Sequence, residues 1–336
     1  MKRIHVSSRP SCCVLLGVSA LLCLEGAFAQ TPSIEQCLGS SSVIQYAEVT
    51  ASGGPDTIKL ENLDPSSSVI HVEACGSGGG GGDGSSTQYV AEGGGGGGSA
   101  PLQVHTLVCG RTFTAATPGG STPTMVDCTR PITIAVPGPR DRNRDGLSVD
   151  LVTFGDGGVE KGRIVLAPGG GAGERGHTTN PRAQGGPGFQ RGGAGGRKDN
   201  STPIPPQRGG STYGFGGGNV AATPGPLMYE AYVGGGGGGA SMRGNGGRGG
   251  GQVADEANGA RGGACAGGGG GIGSHVGGDG DGGKGGPGFA RVTVFSLRQA
   301  ALCGAAEATK SLEKIVADEV SKALEAASIA EDDEDG

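Results

Sequence analysis

Five glycine runs, Gly78–Gly82, Gly93–Gly98, Gly169–Gly171, Gly234–Gly239 and Gly267–Gly271, set the terms on which this chain can fold. All but seven of its 77 glycines lie between Gly76 and Gly288. Three physical readings compete for such a stretch. A flexible linker would be glycine with serine and little else, but this stretch is punctuated by β-branched runs, cysteines and Pro-Gly turns. Collagen requires glycine at every third position, and runs of five and six glycines break that rule. The remaining reading is a compact bundle of extended helices of the polyproline-II type, packed closely because no side chain stands between them. Ordering a glycine costs ~0.5–1 kcal/mol more than ordering an alanine. A net hydrogen bond returns only ~0.5–1.5 kcal/mol. Such a bundle therefore holds only if nearly every glycine amide finds a partner.

Something else must supply an apolar core, because hydrophobic residues make up 34% of the chain, aromatics 4%, and tryptophan is absent. Short β-branched segments meet that need. Residues 30–75 read as N-terminal β structure, with strands over 42–50, 57–61 and 68–74 separated by Gly53-Gly54-Pro55 and Asp64-Pro65 turns. Further strands are expected over 102–108, 111–116, 132–136, 147–154 and 163–167, and a closing strand over 290–297. Between residues 167 and 290 glycine runs alternate with polar inserts. The fold class is accordingly mainly β: a strand framework clamping a glycine-rich bundle over 76–297, with a C-terminal α-helix.

The two ends differ in kind from this middle. Residues 1–29 read as a secretory signal peptide, with Lys2, Arg3 and Arg9 ahead of a short apolar stretch from Cys12 to Leu24 and small residues at Ala27 and Ala29. Residues 298–330 read as an amphipathic helix with Leu312, Ile315, Val316, Val320, Leu324 and Ala327 on one face. It is a candidate for self-association, followed by an acidic, solvated tail over 331–336. The formal charge of −6 is a property of that C-terminal region. The rest of the chain is nearly neutral, which argues against nucleic-acid binding. Six cysteines follow the leader: Cys37, Cys75, Cys109, Cys128, Cys265 and Cys303. An even count in an exported chain points to disulfides. Six cysteines allow fifteen connectivities, and Cys109 with Cys128 is the first pairing expected, through a local strand pair.

The succession Val69-Ile70-His71-Val72-Glu73-Ala74-Cys75-Gly76-Ser77-Gly78, the Pro137-Gly138 turn, Val152-Thr153-Phe154-Gly155, Ile164-Val165-Leu166-Ala167-Pro168-Gly169-Gly170-Gly171 and the stretch from Gly282 to Phe295 resembles the glycine-rich domain of phage tail-fibre adhesin tips and related exported bacterial proteins. The resemblance covers about residues 57–297. It implies glycine helices packed as a sandwich, with recognition carried by the loops between them.

Few residues suggest chemistry. Asp141-Arg142-Asn143-Arg144-Asp145-Gly146 has the D-x-N-x-D-G spacing of an oxygen-rich calcium loop, with Asp150 as a further donor. Two arginines inside it oppose cation binding, and a polar turn with Arg–Asp pairs is the competing reading. Gly278 to Lys284 imitates a phosphate-binding loop without the following Ser or Thr, and glycine content explains it. No nucleophile elbow and no Cys/His metal spacing occurs in the sequence. Recognition should therefore reside in non-glycine groups of the inserts: Arg175, His177, Arg182, Arg197, Lys198, Tyr213, Phe215, Met228, Tyr229, Tyr232 and Arg243. The function expected is that of an exported, non-enzymatic surface or extracellular protein that adheres to a cell-surface glycan or protein. A structural coat or matrix role is the alternative, and ice binding a weaker one. No cofactor is expected, apart from calcium at the Asp141 loop.

Overall fold

The computed structural model describes residues 43–87, 90–114, 123–177, 182–198, 204–212, 215–218, 232–251, 257–274 and 278–296. The expected signal peptide, the C-terminal helix and its acidic tail, Cys37 and Cys303 lie outside the described residues. The first strands in chain order are β1 (Val43–Thr50), β2 (Asp56–Leu60), β3 (Ser68–Cys75), β4 (Ser85–Ser86) and β5 (Ala91–Glu92). Then come β6 (Gln103–Val108), β7 (Thr112–Thr114), β8 (Pro123–Met125), β9 (Ile132–Val136) and β10 (Val149–Phe154). The last are β11 (Glu160–Ala167), β12 (Arg197–Lys198), β13 (Tyr232–Val233), β14 (Gly273–Ser274) and β15 (Phe289–Ser296).

Eight of these strands build two four-stranded antiparallel sheets, ordered β1-β15-β3-β6 and β11-β10-β9-β2. The sequence explains why they face each other. Ile70, Val72 and Ala74 lie on β3, Val292 and Val294 on β15, and Leu107 on β6. They pack in one buried cluster with Ile58 and Leu60 of β2, Ile132, Ile134 and Val136 of β9, Leu151 of β10, and Ile164 and Leu166 of β11. Alternate apolar positions from both sheets thus meet in a single core, the standard way a β-sandwich buries its inner faces. The strands expected from the β-branched runs form close to their expected bounds. The β7–β8 hairpin joins Cys109 to Cys128, and these two residues form a disulfide across a Cα separation of 5.5 Å.

The glycine runs that adjoin sandwich strands, Gly78–Gly82 after β3, Gly93–Gly98 before β6 and Gly169–Gly171 after β11, leave from one end of the sandwich. Cys75 pairs with Phe289 and Ala74 with Gln103, so β3 ends where β15 and β6 begin. On the other sheet Val149 pairs with Ala167, placing the 137–148 and 168–177 segments at the matching end. A second disulfide, Cys75–Cys265, ties this junction to a segment 190 residues further along the chain, beside buried Ala100 and Phe289.

Beyond the junction the glycine segments lie side by side, and their hydrogen bonds recur at every third residue. Along the central run, Gly93, Gly96 and Ser99 donate to the carbonyls of Gly196, Gly193 and Gln190. Gly94, Gly97 and Ala100 donate to Gly271, Gly268 and Cys265, while Gly95 and Gly98 donate to Glu174 and Gly171. The carbonyls of the same run accept from Gly79, Gly82, Gly186, Gly236 and Gly239. The N–H groups thus serve three neighbouring segments and the carbonyls three others. All amides of Gly78–Gly82, Gly93–Gly98 and Gly267–Gly271 are bonded in this way, and all these residues are buried. Such spacing leaves no room for a side chain: a Cβ on Gly97 would overlap the Gly79 carbonyl, and one on Gly96 the Gly237 carbonyl.

Gly97→Ala should therefore destabilise the protein by at least about 3 kcal/mol, because the overlapped atom is backbone and cannot rotate away. Gly53→Ala, whose Cβ would meet nothing within 4 Å, should stay within about 0.5 kcal/mol of the parent. Denaturant melts of the two variants provide the comparison.

Candidate functional site

Glycine provides a lattice but no chemistry, so any site must be built where other residues interrupt it. Asp83 is the most consequential interruption. It ends the Gly78–Gly82 run at a buried position, and its own N–H donates to the Asn143 side-chain oxygen at 3.0 Å. This continues the row begun by Gly80, whose N–H donates to the Arg144 carbonyl. The Asp83 carboxylate accepts from Gly282 N–H at 2.9 Å, Asn143 Nδ2 at 2.7 Å and Arg175 Nη2 at 2.8 Å, with Arg142 Nε 3.6 Å away. Burial by itself would raise this carboxyl. The donated hydrogen bonds from Gly282, Arg175 and Asn143, with the Arg142 charge beside them, outweigh burial and hold it below the ordinary carboxylate value.

Four segments are thereby drawn to one place: 78–84, 140–146, 174–176 and 280–285. The second of them turns at Asn143, whose φ of 54° lies in the left-handed region that asparagine tolerates better than most residues. Asp145 then accepts from the Ala172 N–H at 2.7 Å, and Arg140 Nε donates to the Asp145 carbonyl at 2.8 Å. These bonds fix the loop so that Arg142 and Arg144 flank the half-buried Asn143 and are themselves exposed. Gly259 and Gly262 donate to the carbonyls of Asp281 and Lys284, which lays the 258–262 segment along the opposite wall.

The result is an open cleft of about 930 Å³. Five cations line it, Arg142, Arg144, Arg175, Arg261 and Lys284, with Asp141, Asp281, Asn143, Asn258 and the backbone of Gly259, Gly282 and Gly283. Lys284 pairs with Asp141 at 3.1 Å, and Arg142 with Asp281. Arg175 holds Asp83 with one nitrogen while its side chain stays 64% exposed. Arg261 donates one bond to the Ser52 carbonyl at 3.2 Å. The Arg144 guanidinium has no partner among the described residues. In a chain of formal charge −6, this wall is locally cationic.

The residues expected to carry recognition separate accordingly. Arg175 belongs to the cleft. Arg182 and Arg197 belong to a second cluster around Glu92, a fully buried carboxylate on β5, and Lys198 is buried beside Arg197 on β12, opposite Ala91. Arg197 crosses from β12 to pair with Glu92 at 3.0 Å, and the Ala183 N–H donates to the same carboxylate. Burial pushes the Glu92 carboxyl up despite these donors. Burial likewise lowers the Arg182 guanidinium, which donates to the carbonyls of Gly195 and Pro205. His177 is exposed, and its carbonyl accepts a long 3.4 Å bond from Arg197. Arg243 braces the junction instead, with its guanidinium 4.1 Å from the Phe289 ring centroid and 2.9 Å from Glu73. Tyr232 contributes backbone to β13, and Phe215 a bridge to Thr212. Tyr213, Met228 and Tyr229 lie outside the described residues.

The four oxygens with calcium-loop spacing face four different partners. Asp141 meets Lys284, Asn143 meets Asp83, and Asp145 meets Ala172. Asp150 lies on β10 and meets Arg163 at 2.7 Å. Among the described residues no three His, Cys, Asp or Glu side chains gather as metal ligands. The arginines within this loop, Arg142 and Arg144, are among the groups that line the cleft. Arg261 and Asn258 carried no signal in the sequence, because only hydrogen bonding between distant glycine segments places them there.

Asp83→Asn should destabilise the protein by about 2 kcal/mol near neutral pH, the worth of charge-assisted bonds to a buried group. A depressed carboxyl stabilises the fold above its unfolded value and loses that contribution as pH falls through the folded value. The gap between parent and variant should therefore close below pH 3.8, the ordinary aspartate value, in melts run across the acid range. No protein-family model matches the chain, and no curated protein matches it by sequence.

Proposed function

We propose that the chain is an exported, non-enzymatic recognition protein in which a glycine-rich bundle, clamped by the β-sandwich, holds a polar binding cleft rigidly at its edge. The bundle reading is supported by the three-residue period of the hydrogen bonds, the repeat of a polyproline-II helix. It is supported too by backbone angles, since the described glycines with positive φ are Gly54, Gly110, Gly157, Gly158 and Gly278, none of them in a run. Export is supported by the leader-like residues 1–29 and by two disulfides, which persist in oxidising compartments. No helix among the described residues is long and apolar enough to cross a membrane. The resemblance to tail-fibre adhesin tips points the same way, toward loops that recognise a surface.

The single observation that carries this reading is the cleft itself: five cations from four chain segments around one buried aspartate. Arginines on a fixed backbone suit recognition of a planar anionic group, because less side-chain freedom is lost on binding. Attachment of the labelled full-length chain to a panel of cell and matrix surfaces provides the test. The variant carrying Arg144→Ala and Arg261→Ala should lose attachment at least about tenfold, while its stability falls by no more than the roughly 0.5–1.5 kcal/mol of the one exposed bond that Arg261 makes to the Ser52 carbonyl. Unchanged attachment would overturn the assignment of the cleft.

A further inference from the structure

We infer that the ligand of this cleft is an acidic polysaccharide whose carboxylates are spaced among neutral, hydroxyl-bearing positions, as in a polyuronate. The inference rests on the recognition role proposed above and concerns only what is recognised.

Three features of the lining carry it. First, among the described residues no apolar or aromatic side chain lines the cleft. Its walls are Arg, Lys, Asp, Asn and glycine backbone, so a ligand gains nothing there from apolar groups. Peptides and lipids are recognised largely through such groups. Second, the cations are not all spent. Arg144 has no partner among the described residues. Arg175 and Arg261 each commit one nitrogen to the fold, and a guanidinium has five N–H donors. Two-pronged bonding to a carboxylate is within reach of each. Third, the cleft also presents acceptors. Asp141 and Asp281 are exposed within it, with side-chain exposures of 74% and 57%, and Asn258 stands beside them.

The third feature discriminates among anions. A more densely charged polymer, with more than one anion on each unit and few hydroxyls left free, would meet two carboxylates it must displace or repel. Hydroxyl groups between acidic groups turn those same carboxylates into hydrogen-bond acceptors. The interleaving of Asp141, Arg142, Arg144, Asp281 and Lys284 therefore matches a ligand that alternates charge with hydroxyl. The open shape allows a polymer to lie across the site without an end to thread.

The test uses the full-length chain with four probes: polygalacturonate, the same polymer after carboxyl reduction, neutral dextran and dextran sulfate. Binding is read by isothermal titration at two salt concentrations. Polygalacturonate should bind, with affinity falling as salt rises. Carboxyl reduction should abolish binding, and dextran sulfate should bind more weakly than polygalacturonate. Arg144→Ala should weaken polygalacturonate about tenfold without moving the melting temperature, and Asp281→Asn should change the preference between polygalacturonate and dextran sulfate toward the sulfate. Equal binding of the reduced polymer, or polygalacturonate binding indifferent to Arg144→Ala, would overturn the inference. If the Arg144/Arg261 variant loses surface attachment while polygalacturonate fails to bind the parent, the ligand class is wrong and the recognition role stands. If neither attachment nor any probe responds to the cleft variants, both readings fall.

Discussion

The structure depends on the hydrogen bond between an N–H of one glycine segment and a carbonyl of another, repeated at every third residue. Gly93 to Ala100 is surrounded by segments that are distant in sequence, and its amides are bonded to three of them. Each such bond requires two backbones to approach more closely than any side chain permits, as the overlaps a Cβ would meet at Gly96 and Gly97 make plain. Glycine is thus required here by contact distance, even though its φ values in the runs are ones other residues adopt. The entropy lost by ordering glycine is opposed by a lattice in which the buried amides of the central runs are satisfied.

Such a lattice needs a frame to set its first contacts in register. The sandwich provides one, because strands from both sheets feed glycine segments from the same end, and the Cys75–Cys265 disulfide fixes two of those segments relative to each other. Side chains then refine what backbone bonds begin. Arg243 braces Phe289 and Glu73 at the junction, and Glu92 with Arg197 closes the small β4–β5–β12 sheet. Asp83 occupies the place of a further glycine and converts one corner of the lattice into a charged centre. The cleft follows from that substitution of carboxylate for backbone.

The frame was legible in the sequence because β-branched runs report a buried sheet face directly. Val69 to Ala74, Ile132 to Val136 and Arg163 to Ala167 all form strands near their expected bounds, and the Cys109–Cys128 pairing follows from the hairpin between them. The partnership of Cys75 with Cys265 was beyond reach, since glycine runs carry no side-chain pattern to reveal which segments adjoin. The site was half visible for the same reason. Arg175 stood out as a non-glycine group in an insert, and the Asp141 loop stood out by its spacing. The spacing suggested oxygens converging on one ion, whereas Asn143 turns to Asp83 and Asp145 to the Ala172 amide. Arg182, Arg197 and Arg243 also looked like recognition groups, yet each has carbonyl, carboxylate or ring partners within the fold. An arginine's exposure depends on its carboxylate neighbours, and those are set by the lattice.

The proposed recognition role requires a rigid support, and that support exists only if the glycine runs are ordered in solution. Hydrogen exchange resolved at the amides of Gly93–Gly98 measures this most directly. Protection there should be as strong as in β3 and β15 and be lost in one cooperative transition with the sandwich. Exchange at the rate of an unstructured chain in those amides, with the strands still protected, would contradict an ordered bundle.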